Sequence, residues 1–524
     1  MPSAPSNRPD RDETPVRDRG DACPGALRLH TADDGALARV RVPAGVLSAR
    51  QAYALADAAE RLGDGALDIT SRGNLQLRGL RVGCGGELAS LLDAAGLLPA
   101  PAHERVRNVV ASPLSGLDGR GHLDVQPLVR ELDALLCASE RATALSGRFL
   151  FALDDGRGDM AGLGADVMLL AEPVGARVRI LLGEQAVTVA TPDGARALLL
   201  AAETFLDAAD ASGTKAWRVG ELPREYAVSA TDLASRLTRA GVPAAAAVGP
   251  AVVADPADPD AEVGPVGQAE AGEVGEAPGP AHGATGSVEP EPGTDPAADG
   301  DGRGDGDGRG DGDGRGDGDG RGDGNGGTGA ATGLTPGAPA AGPVGPVGPP
   351  VPGPLPGGDG AGVYVGVVLG RVRGAQWRLL ARTAEAYGTG ELRVTPWRGV
   401  VLPGVPGALL PALADAGLVT APDSPWLGVG ACTGRPGCAK SLADVRADAT
   451  AGIAAGAGGL PVYWSGCARR CGHPRGTWVD VVATGDGRYD VTAPGAPGHT
   501  VPLTELADAL AVARTHPIDR RPTK

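Results

Sequence analysis

The chain has 524 residues, and its 85 glycines and 46 prolines make up a quarter of them. Hydrophobic residues are 42% of the total and many fall in periodic blocks, which excludes a fully disordered protein. The formal net charge of −16 comes mostly from one segment, because 19 acidic residues and four arginines lie between Asp255 and Asp323. The remainder is close to neutral, so the acidity does not indicate the sign of a substrate.

The cysteine content and the absence of long apolar runs limit the compartment. No run of 18 apolar residues occurs, so we expect no membrane-spanning helix. Residues 1–22 have no hydrophobic segment that would suit a secretory signal. Seven cysteines, four of them late in the chain, favour metal or cluster ligation over disulfides in such a protein. We therefore predict a cytoplasmic protein with no membrane or nucleic-acid partner.

The first hundred residues predict a small α+β unit after a disordered tail at residues 1–24. The alternation at Leu37–Val42 is typical of a half-buried strand. Ser48 and Gln51 then form a capping box, with Leu47 placed for a hydrophobic staple, and Gly63 ends the helix. Further elements follow in the order strand, strand, helix at Ala66–Thr70, Leu75–Leu80 and Leu88–Ala95. This order predicts a ferredoxin-like half-domain over residues 25–100.

The next segment, residues 104–250, predicts a second and larger α/β domain. Its apolar patterns indicate strands and helices, in chain order a helix at Val129–Ala138, strands at Phe149–Leu153, Val178–Leu182 and Gln185–Val189, and a helix at Gly194–Ala208. Residues 251–362 differ sharply, with DGRGDG repeats followed by GPVGPVGPPVPGPLPGG. Such a composition cannot bury enough apolar surface to offset its ordering entropy, so we predict a disordered acidic linker.

The sequence repeats itself on either side of this linker. Residues 59–70 (AERLGDGALDIT) and residues 384–395 (AEAYGTGELRVT) agree at six of twelve positions with an offset of 325. The same offset pairs Gly45 with Gly370 and Leu77 with Leu402. An internal duplication therefore predicts a second ferredoxin-like half-domain at residues 363–424. A last domain at 425–524 holds the cysteines, a strand at Trp478–Val482 and a helix at Thr504–Thr515.

Four cysteines form the strongest chemical signal. Cys432 and Cys438 are six positions apart, and Cys467 and Cys471 follow in the stretch YWSGCARRCGHPRG. Four thiolates on glycine-rich turns can converge on one soft metal centre. The first spacing suits zinc poorly, since structural zinc sites usually use closer pairs, whereas a [4Fe–4S] cluster accepts varied spacing. Zinc and unrelated free cysteines remain the alternatives.

With these motifs the chain resembles the nitrite and sulfite reductase superfamily. The paired cysteine motifs carry the resemblance, together with RVRVPAG (39–45), TSRGNLQLRG (70–79) and RNVVASP (107–113). It implies a duplicated α+β architecture, in which two ferredoxin-like half-domains and two haemoprotein-type α/β domains bracket a tetrapyrrole. It also implies that all four cysteines hold a [4Fe–4S] cluster, with the last cysteine bridging to a haem iron in relatives that carry sirohaem.

The resemblance also implies a cationic tetrapyrrole site. In the family, arginines that match Arg41, Arg72 and Arg107 face the tetrapyrrole carboxylates or a small anion. A guanidinium group forms two parallel hydrogen bonds with a carboxylate, so the role implied for these arginines fits their chemistry. Arg39 shares a strand face with Arg41 by its two-residue spacing. The predicted substrate-binding set is Arg39, Arg41, Arg72, Arg107, Asn108 and Arg148.

A departure from the reductases bears on the substrate. Sulfite reductases carry a lysine pair where this chain has Arg148 and Leu150, and nitrite reductases keep a lysine and an asparagine. Leucine can neither deliver a proton nor hold an oxyanion. The stretch GRFLFALDDGRGD and the motif WSGCxxxCGHP instead resemble precorrin-3B synthases of aerobic cobalamin biosynthesis. That resemblance implies C20 hydroxylation of precorrin-3A with O2, followed by γ-lactone formation.

The resemblance implies a mononuclear non-haem iron beside the cluster, and its ligands are not identified in the sequence. His473 and His103 are weak candidates, since a lone histidine is more often structural. An external electron donor is also expected, either a ferredoxin or an NAD(P)H-linked reductase. Two alternatives stay open, a sirohaem-dependent sulfite or nitrite reductase and a non-catalytic electron-transfer or zinc-stabilised binding module.

Overall fold

The computed structural model describes residues 21, 23–173, 175–247, 348–358, 360–453, 459–474 and 476–515. The predicted tail at 1–24 and the predicted linker at 251–362 lie mostly outside these ranges. The end of the tail is an exception, because the Asp21 carboxylate accepts hydrogen bonds from the Gly147 backbone N–H at 2.6 Å and the Ser146 hydroxyl at 3.0 Å. These contacts attach Asp21 to the larger α/β segment, so the predicted disorder does not extend to residue 24.

The first repeat follows the predicted order of elements, with one short hairpin strand added in front. Its elements are β1 (His30–Ala32), β2 (Gly35–Val40), β3 (Val46–Ser48), α1 (Ala49–Leu62), β4 (Ala66–Ile69), β5 (Leu75–Leu80) and α2 (Gly85–Ala94). The predicted capping box is present at the start of α1, where Gln51 N–H donates to Ser48 Oγ and Ser48 N–H donates to Gln51 Oε1. Helix α1 ends before Gly63 as predicted, although that glycine has an ordinary φ of −117°.

The segment after the first repeat contains a mixed sheet covered by helices. Its elements are β6 (Val109–Ala111), α3 (Gln126–Ala138), β7 (Phe151–Asp154), β8 (Val167–Ala171), β9 (Arg177–Leu182), β10 (Gln185–Ala190), α4 (Gly194–Ser212), α5 (Ala230–Arg239) and β11 (Ala244–Ala246). The sheet runs in the order β11-β10-β9-β8-β7-β6, and β6, β7 and β8 are parallel. All five predicted elements of this segment are present, with most ends shifted by one to four residues.

The second repeat begins earlier than the sequence indicated. Its elements are β12 (Gly353–Pro354), β13 (Gly362–Gly366), β14 (Arg371–Arg373), α6 (Gly374–Tyr387), β15 (Glu391–Val394), β16 (Gly399–Pro403) and α7 (Leu410–Asp415). Strand β12 pairs with β13, and Leu355 is buried. The predicted linker boundary at 362 is therefore wrong, because proline-rich composition concealed a short edge strand that packs on the sheet.

The duplication is confirmed element by element. Adding 325 to the bounds of β3, α1 and β4 gives the bounds of β14, α6 and β15 without any shift. A matching tight turn precedes β3 and β14, in which Gly45 and Gly370 both have φ of +70°. The internal symmetry of the fold is thus visible at the level of single residues.

The two repeats exchange strands. Strand β14 of the second repeat forms the edge of the first sheet beside β4, and β3 of the first repeat forms the edge of the second sheet beside β15. Helices α1 and α6 pack together, and Trp377 Nε1–H donates to Ala52 O at 2.9 Å. Buried side chains of both repeats form one continuous hydrophobic core. Neither repeat therefore forms a complete sheet without the other.

The last segment repeats the topology of the β6–β10 sheet. Its elements are β17 (Val429–Ala431), α8 (Val445–Gly452), β18 (Val462–Ser465), β19 (Val479–Gly485), β20 (Arg488–Thr492), β21 (His499–Pro502) and α9 (Leu506–Arg514). Strands β17, β18 and β19 are parallel, and β20 and β21 continue antiparallel. Among the described helices, none has the length and apolarity needed to cross a membrane.

Candidate functional site

The cysteines lie at one edge of the last sheet. Cys432 directly follows β17, and Cys467 comes two residues after β18, the parallel neighbour of β17. The carboxyl ends of adjacent parallel strands meet at the same edge, which brings the two cysteine loops together. A hydrogen bond joins the two loops directly, because the backbone N–H of Gly466 donates to Cys432 Sγ at 3.2 Å.

The electrostatics of the thiols show that all four are neighbours. Burial raises the pKa of the Cys471 thiol, and the nearby thiols of Cys467, Cys432 and Cys438 raise it further. Burial likewise raises the pKa of Cys432, with added contributions from Cys467 and Cys438. Four crowded thiols do not ionise together without a cation, so this site favours a ligand that supplies positive charge.

The sulfur atoms are not spaced like the ligands of a single zinc ion. A zinc ion bound at about 2.3 Å keeps any two sulfur ligands within about 4.6 Å of each other. In the described part of the chain, Asp154, Asp155 and Asp159 form the group of three ligand atoms within 4.8 Å, and no three of the cysteines meet that distance. The sulfur atoms therefore do not form the compact triad that one zinc ion would hold.

A buried hydroxyl also fits an acceptor at this site. Side chains alternate along β18, so Ser465 lies on the same face as Tyr463 and opposite Trp464. Ser465 is fully buried, and its Oγ has no hydrogen-bond partner among the described residues. Unpaired buried hydroxyls are unfavourable, and the sulfur atoms of a bound cluster could accept such a bond.

Arginines from outside the loops hold the first cysteine pair. Arg446 Nε donates to Cys432 O at 3.2 Å, and its Nη1 donates to Asp68 on β4 at 2.9 Å. Arg78 on β5 donates to Gly437 O at 2.7 Å while its fork binds Asp34. These bonds fasten the loop that carries Cys432 and Cys438 to the first repeat.

Three of the predicted substrate-binding arginines lie close together. Arg41 is buried, and burial lowers its pKa, with further lowering by the positive charges of Arg39 and Arg72. Its Nη1 donates to Asn108 Oδ1 at 3.0 Å and its Nη2 donates to Gly147 O at 2.8 Å. Its Nε has no partner among the described residues. Crowded cations of this kind are stabilised by an anionic partner.

Asn108 positions Arg41 instead of presenting its own amide to a ligand. Its Oδ1 accepts from both Arg41 and Asn74, and its Nδ2 donates to Phe149 O at 3.0 Å. All of these partners belong to the protein. The prediction that Asn108 contacts substrate is therefore replaced by an indirect role in fixing a guanidinium.

Two other predicted arginines are engaged elsewhere. Arg107 forms a bidentate ion pair with Asp133 on α3, with both N–O distances at 2.7 Å. The guanidinium group of Arg107 is therefore occupied by Asp133, which argues against the predicted contact with substrate. Arg148 is buried, and its guanidinium carbon lies 5.1 Å from the ring centroid of Trp217. The role of Arg148 toward a substrate stays a prediction.

Leu150, one of the two positions compared above with the lysine pair of sulfite reductases, belongs to the core. It is fully buried in a cluster with Val110, Ala152, Met160 and Met168. A charged side chain at this position would need a partner that these apolar neighbours do not provide.

Each of the two histidine candidates has one ring nitrogen close to a backbone carbonyl. His473 Nδ1 lies 2.9 Å from Pro474 O, and its ring stacks on Trp478 at 4.7 Å. His103 Nε2 lies 2.8 Å from Ser139 O. Neither histidine belongs to a group of three ligand atoms within 4.8 Å among the described residues. The mononuclear iron predicted by resemblance therefore finds no ligand set at these histidines.

A second cluster of polar residues, which the sequence motifs did not indicate, lies at the matching edge of the β6–β10 sheet. Ser112 follows β6 as Cys432 follows β17, and Asp155 N–H donates to Ser112 Oγ at 3.1 Å as Gly466 N–H donates to Cys432 Sγ. Asp154, Asp155 and Asp159 lie here, within the stretch LDDGRGD. The close spacing of its three aspartates is the feature of the sequence that signals this cluster.

The oxygens of this acidic cluster are already engaged. Asp154 accepts three backbone N–H bonds, from Gly156, Gly158 and Met160. Arg157 pairs with both Asp155 and Asp118. Ser112 donates to Asp159 at 2.6 Å. Burial and the nearby Asp154 carboxylate raise the pKa of Asp159 to about 7. An arginine–aspartate network thus lies where the last sheet has its cysteines.

Comparison with known proteins agrees with this architecture. Residues 30–93 and 354–417 each match the nitrite/sulfite reductase ferredoxin-like half domain. A ferredoxin–nitrite reductase of Synechococcus elongatus is 39% identical over 127 residues, which are 23% of this chain and 25% of that protein. A precorrin-3B synthase of Sinorhizobium sp is 34% identical over 154 residues, which are 29% of this chain and 33% of that protein.

A solved structure extends the likeness to nearly the whole chain. The NirA protein of Mycobacterium tuberculosis superposes with a TM-score of 0.59 at 17% identity, covering 93% of this chain and 82% of that one. At this identity the likeness concerns the fold. The chain thus carries two half-domains of the nitrite/sulfite reductase type in a NirA-like arrangement, and its sequence alignments span a third or less of the two curated relatives.

Proposed function

We propose that the protein is an oxidoreductase of the nitrite/sulfite reductase type that holds a [4Fe–4S] cluster on Cys432, Cys438, Cys467 and Cys471. The convergence of these four thiols on one edge of the last sheet carries the proposal. When bound, the cluster would supply single electrons at this edge. The residues around it fit that role, because two arginines fix the loop backbone and Ser465 offers a buried hydroxyl.

We further propose that its substrate is precorrin-3A, with O2 as the second substrate and an external ferredoxin or NAD(P)H-linked reductase as the electron donor. The product would be hydroxylated at C20 and closed to a γ-lactone. The precorrin-3B synthase relative supports this assignment. The apolar, buried Leu150 also supports it, because a leucine cannot deliver a proton to an anion that is being reduced.

The crowded arginines would bind the substrate carboxylates. Asn108 and Gly147 hold the Arg41 fork in place, so its position does not depend on the substrate. Arg39 and Arg72 stand next to it, and carboxylates of a tetrapyrrole would reduce their mutual repulsion. Holding the macrocycle rigidly would also favour ring closure, because the acetate oxygen is then kept near its target carbon. Neither His473 nor His103 belongs to a group of three ligand atoms among the described residues, so neither is proposed as an iron ligand.

A sirohaem-dependent nitrite or sulfite reductase is the second candidate. The nitrite reductase of Synechococcus elongatus, at 39% identity, favours it. The two candidates differ in their bound pigment, so anaerobically purified protein distinguishes them. Sirohaem gives visible absorption bands that a cluster alone lacks.

The direct test is incubation with precorrin-3A, a reductant and 18O2, followed by mass analysis of the product. We expect one labelled oxygen atom per product molecule, and an unlabelled or unchanged substrate would refute the hydroxylase assignment. Arg39→Gln and Arg72→Gln should raise KM for precorrin-3A more than they lower kcat. Arg50→Gln on the exposed face of α1 is the matched control, and its KM should equal that of the wild type.

The cluster itself is tested by metal analysis. Wild type should contain iron and acid-labile sulfide, whereas Cys471→Ser should lose most of both. Zinc without sulfide in the wild type would instead support a zinc-stabilised binding module.

A further inference from the structure

The second cysteine loop is held by the strand that precedes it. Tyr463 lies in β18, and its ring is buried. Its hydroxyl donates to Cys471 O at 2.6 Å. Because Tyr463 belongs to a central strand of the sheet, this hydrogen bond fixes the position of the Cys471 backbone relative to the sheet. Trp464, its neighbour, faces the hydrophobic core on the opposite side.

Arg398 reaches the same loop from the second repeat. Its guanidinium carbon lies 5.8 Å from the ring centroid of Tyr463, and its Nη2 donates to Gly472 O at 3.2 Å. Two consecutive carbonyls, those of Cys471 and Gly472, are thus held by one tyrosine and one arginine. A cation is attracted to the face of an aromatic ring. The Arg398 guanidinium and the Tyr463 ring therefore stabilise each other's position.

The backbone of Arg398 is in an unusual conformation for an arginine. Its φ is +60°, in the left-handed region that favours glycine. The offset of 325 places Gly73 at the matching position of the first repeat, with φ of +67°. Non-glycine residues persist in such conformations where surrounding contacts hold them, and they are concentrated at functional sites. The second repeat therefore carries a side chain at a turn position where the first repeat has none.

The charge of Arg398 is not neutralised within the described part of the chain. Three arginines from outside the cysteine loops donate to carbonyls of these loops. Arg78 is paired with Asp34, and Arg446 is paired with Asp68. Arg398 forms no ion pair with a carboxylate among the described residues. Its positive charge is consequently available to act on the cysteine site.

We propose that Arg398 is a positioning residue for Cys471 and raises the reduction potential of the centre held by the four cysteines. The inference rests on the proposed [4Fe–4S] cluster. Tyr463 and Arg398 together fix the backbone of the Cys471 loop. A nearby uncompensated cation stabilises the reduced, more negative state of the cluster, which makes reduction more favourable.

The test compares the full-length wild type with Arg398→Met, Arg398→Lys and Tyr463→Phe, all purified without oxygen. Arg488→Met is the matched control, because Arg488 also donates to a backbone carbonyl of the last sheet but lies on β20. Iron and sulfide content shows whether the cluster is present. Midpoint potential, followed by electron paramagnetic resonance, and the rate of iron release to a chelator are then measured.

We expect Arg398→Met to have a more negative midpoint potential and to release iron several-fold faster than the wild type. Arg398→Lys should restore most of the potential, and Tyr463→Phe should mainly accelerate release. Arg488→Met should match the wild type in both. A loaded Arg398→Met protein with unchanged potential and release rate would overturn this inference alone. A wild type without iron and sulfide would overturn the cluster proposal as well.

Discussion

Gly45 and Gly370 occupy matching turns of the two repeats, and alanine at each should have very different effects. Both glycines have φ of +70°. An alanine Cβ at position 45 would lie 1.8 Å from Val394 O, in the backbone of β15. At position 370 the nearest atom would be Arg398 Cδ at 2.6 Å, in a long side chain. The same glycine-to-alanine change can therefore be made at two equivalent turns, one against a strand backbone and the other against a flexible side chain.

In both variants the alanine must adopt the left-handed backbone conformation. This conformation lowers the free energy of unfolding by about 1–2 kcal/mol for a non-glycine residue. At Gly370 the arginine side chain can move aside, so the free energy of unfolding should fall by little more than this. At Gly45 the strand itself must shift, which disturbs the exchanged β3–β15 pair. Backbone strain and overpacking together should then lower the free energy of unfolding by about 4 kcal/mol or more.

Urea denaturation of both variants and the wild type at one pH measures this difference. Gly45→Ala should unfold at a much lower urea concentration or fail to accumulate as folded protein. Gly370→Ala should stay folded with a modest shift of the midpoint. Equal losses in the two variants, or a greater loss in Gly370→Ala, would refute the argument from close approach to β15.

Two further predictions concern stability. Because burial and Asp154 raise the pKa of Asp159 to about 7 from 3.8, the native state retains a proton that the unfolded chain loses between these values, and its stability falls as pH rises through that window. Asp159→Asn should therefore melt above the wild type, and by a larger margin at pH 8 than at pH 5, in a thermal series; a pH-independent difference would contradict this. Trp377→Phe removes the bond to Ala52 O and should lower the free energy of unfolding by about 1 kcal/mol or more, as measured by urea denaturation. An unchanged midpoint would show that this bond contributes nothing to α1–α6 packing.

Local rules predicted the repeats well. Ser48 and Gln51 determine the start of α1 through contacts three residues apart, and such contacts are visible in sequence. The offset of 325 identified the second copy because the same positions are buried in both. The four cysteines were also recognisable, since their spacing and glycine-rich surroundings are local features.

Long-range pairing was not predictable in the same way. Strands β3 and β14 have three residues each, too few for a periodic pattern, and each pairs with a strand of the other repeat. Arg107 was expected at the substrate because its partner Asp133 lies 26 positions away, on a helix with no local signal for the pair. The contacts of Arg398 were not predictable for a similar reason, because Tyr463 and Gly472 belong to the last segment of the chain.

The exchanged strands also have a consequence for synthesis on the ribosome. About 300 residues separate the end of β4 from the start of β14, its neighbour in the sheet. At about 5–20 residues per second, the edge of β4 waits about 15–60 s for that neighbour to be made. An open strand edge can pair with other nascent chains, so chaperone supply and translation speed should influence the yield of active protein.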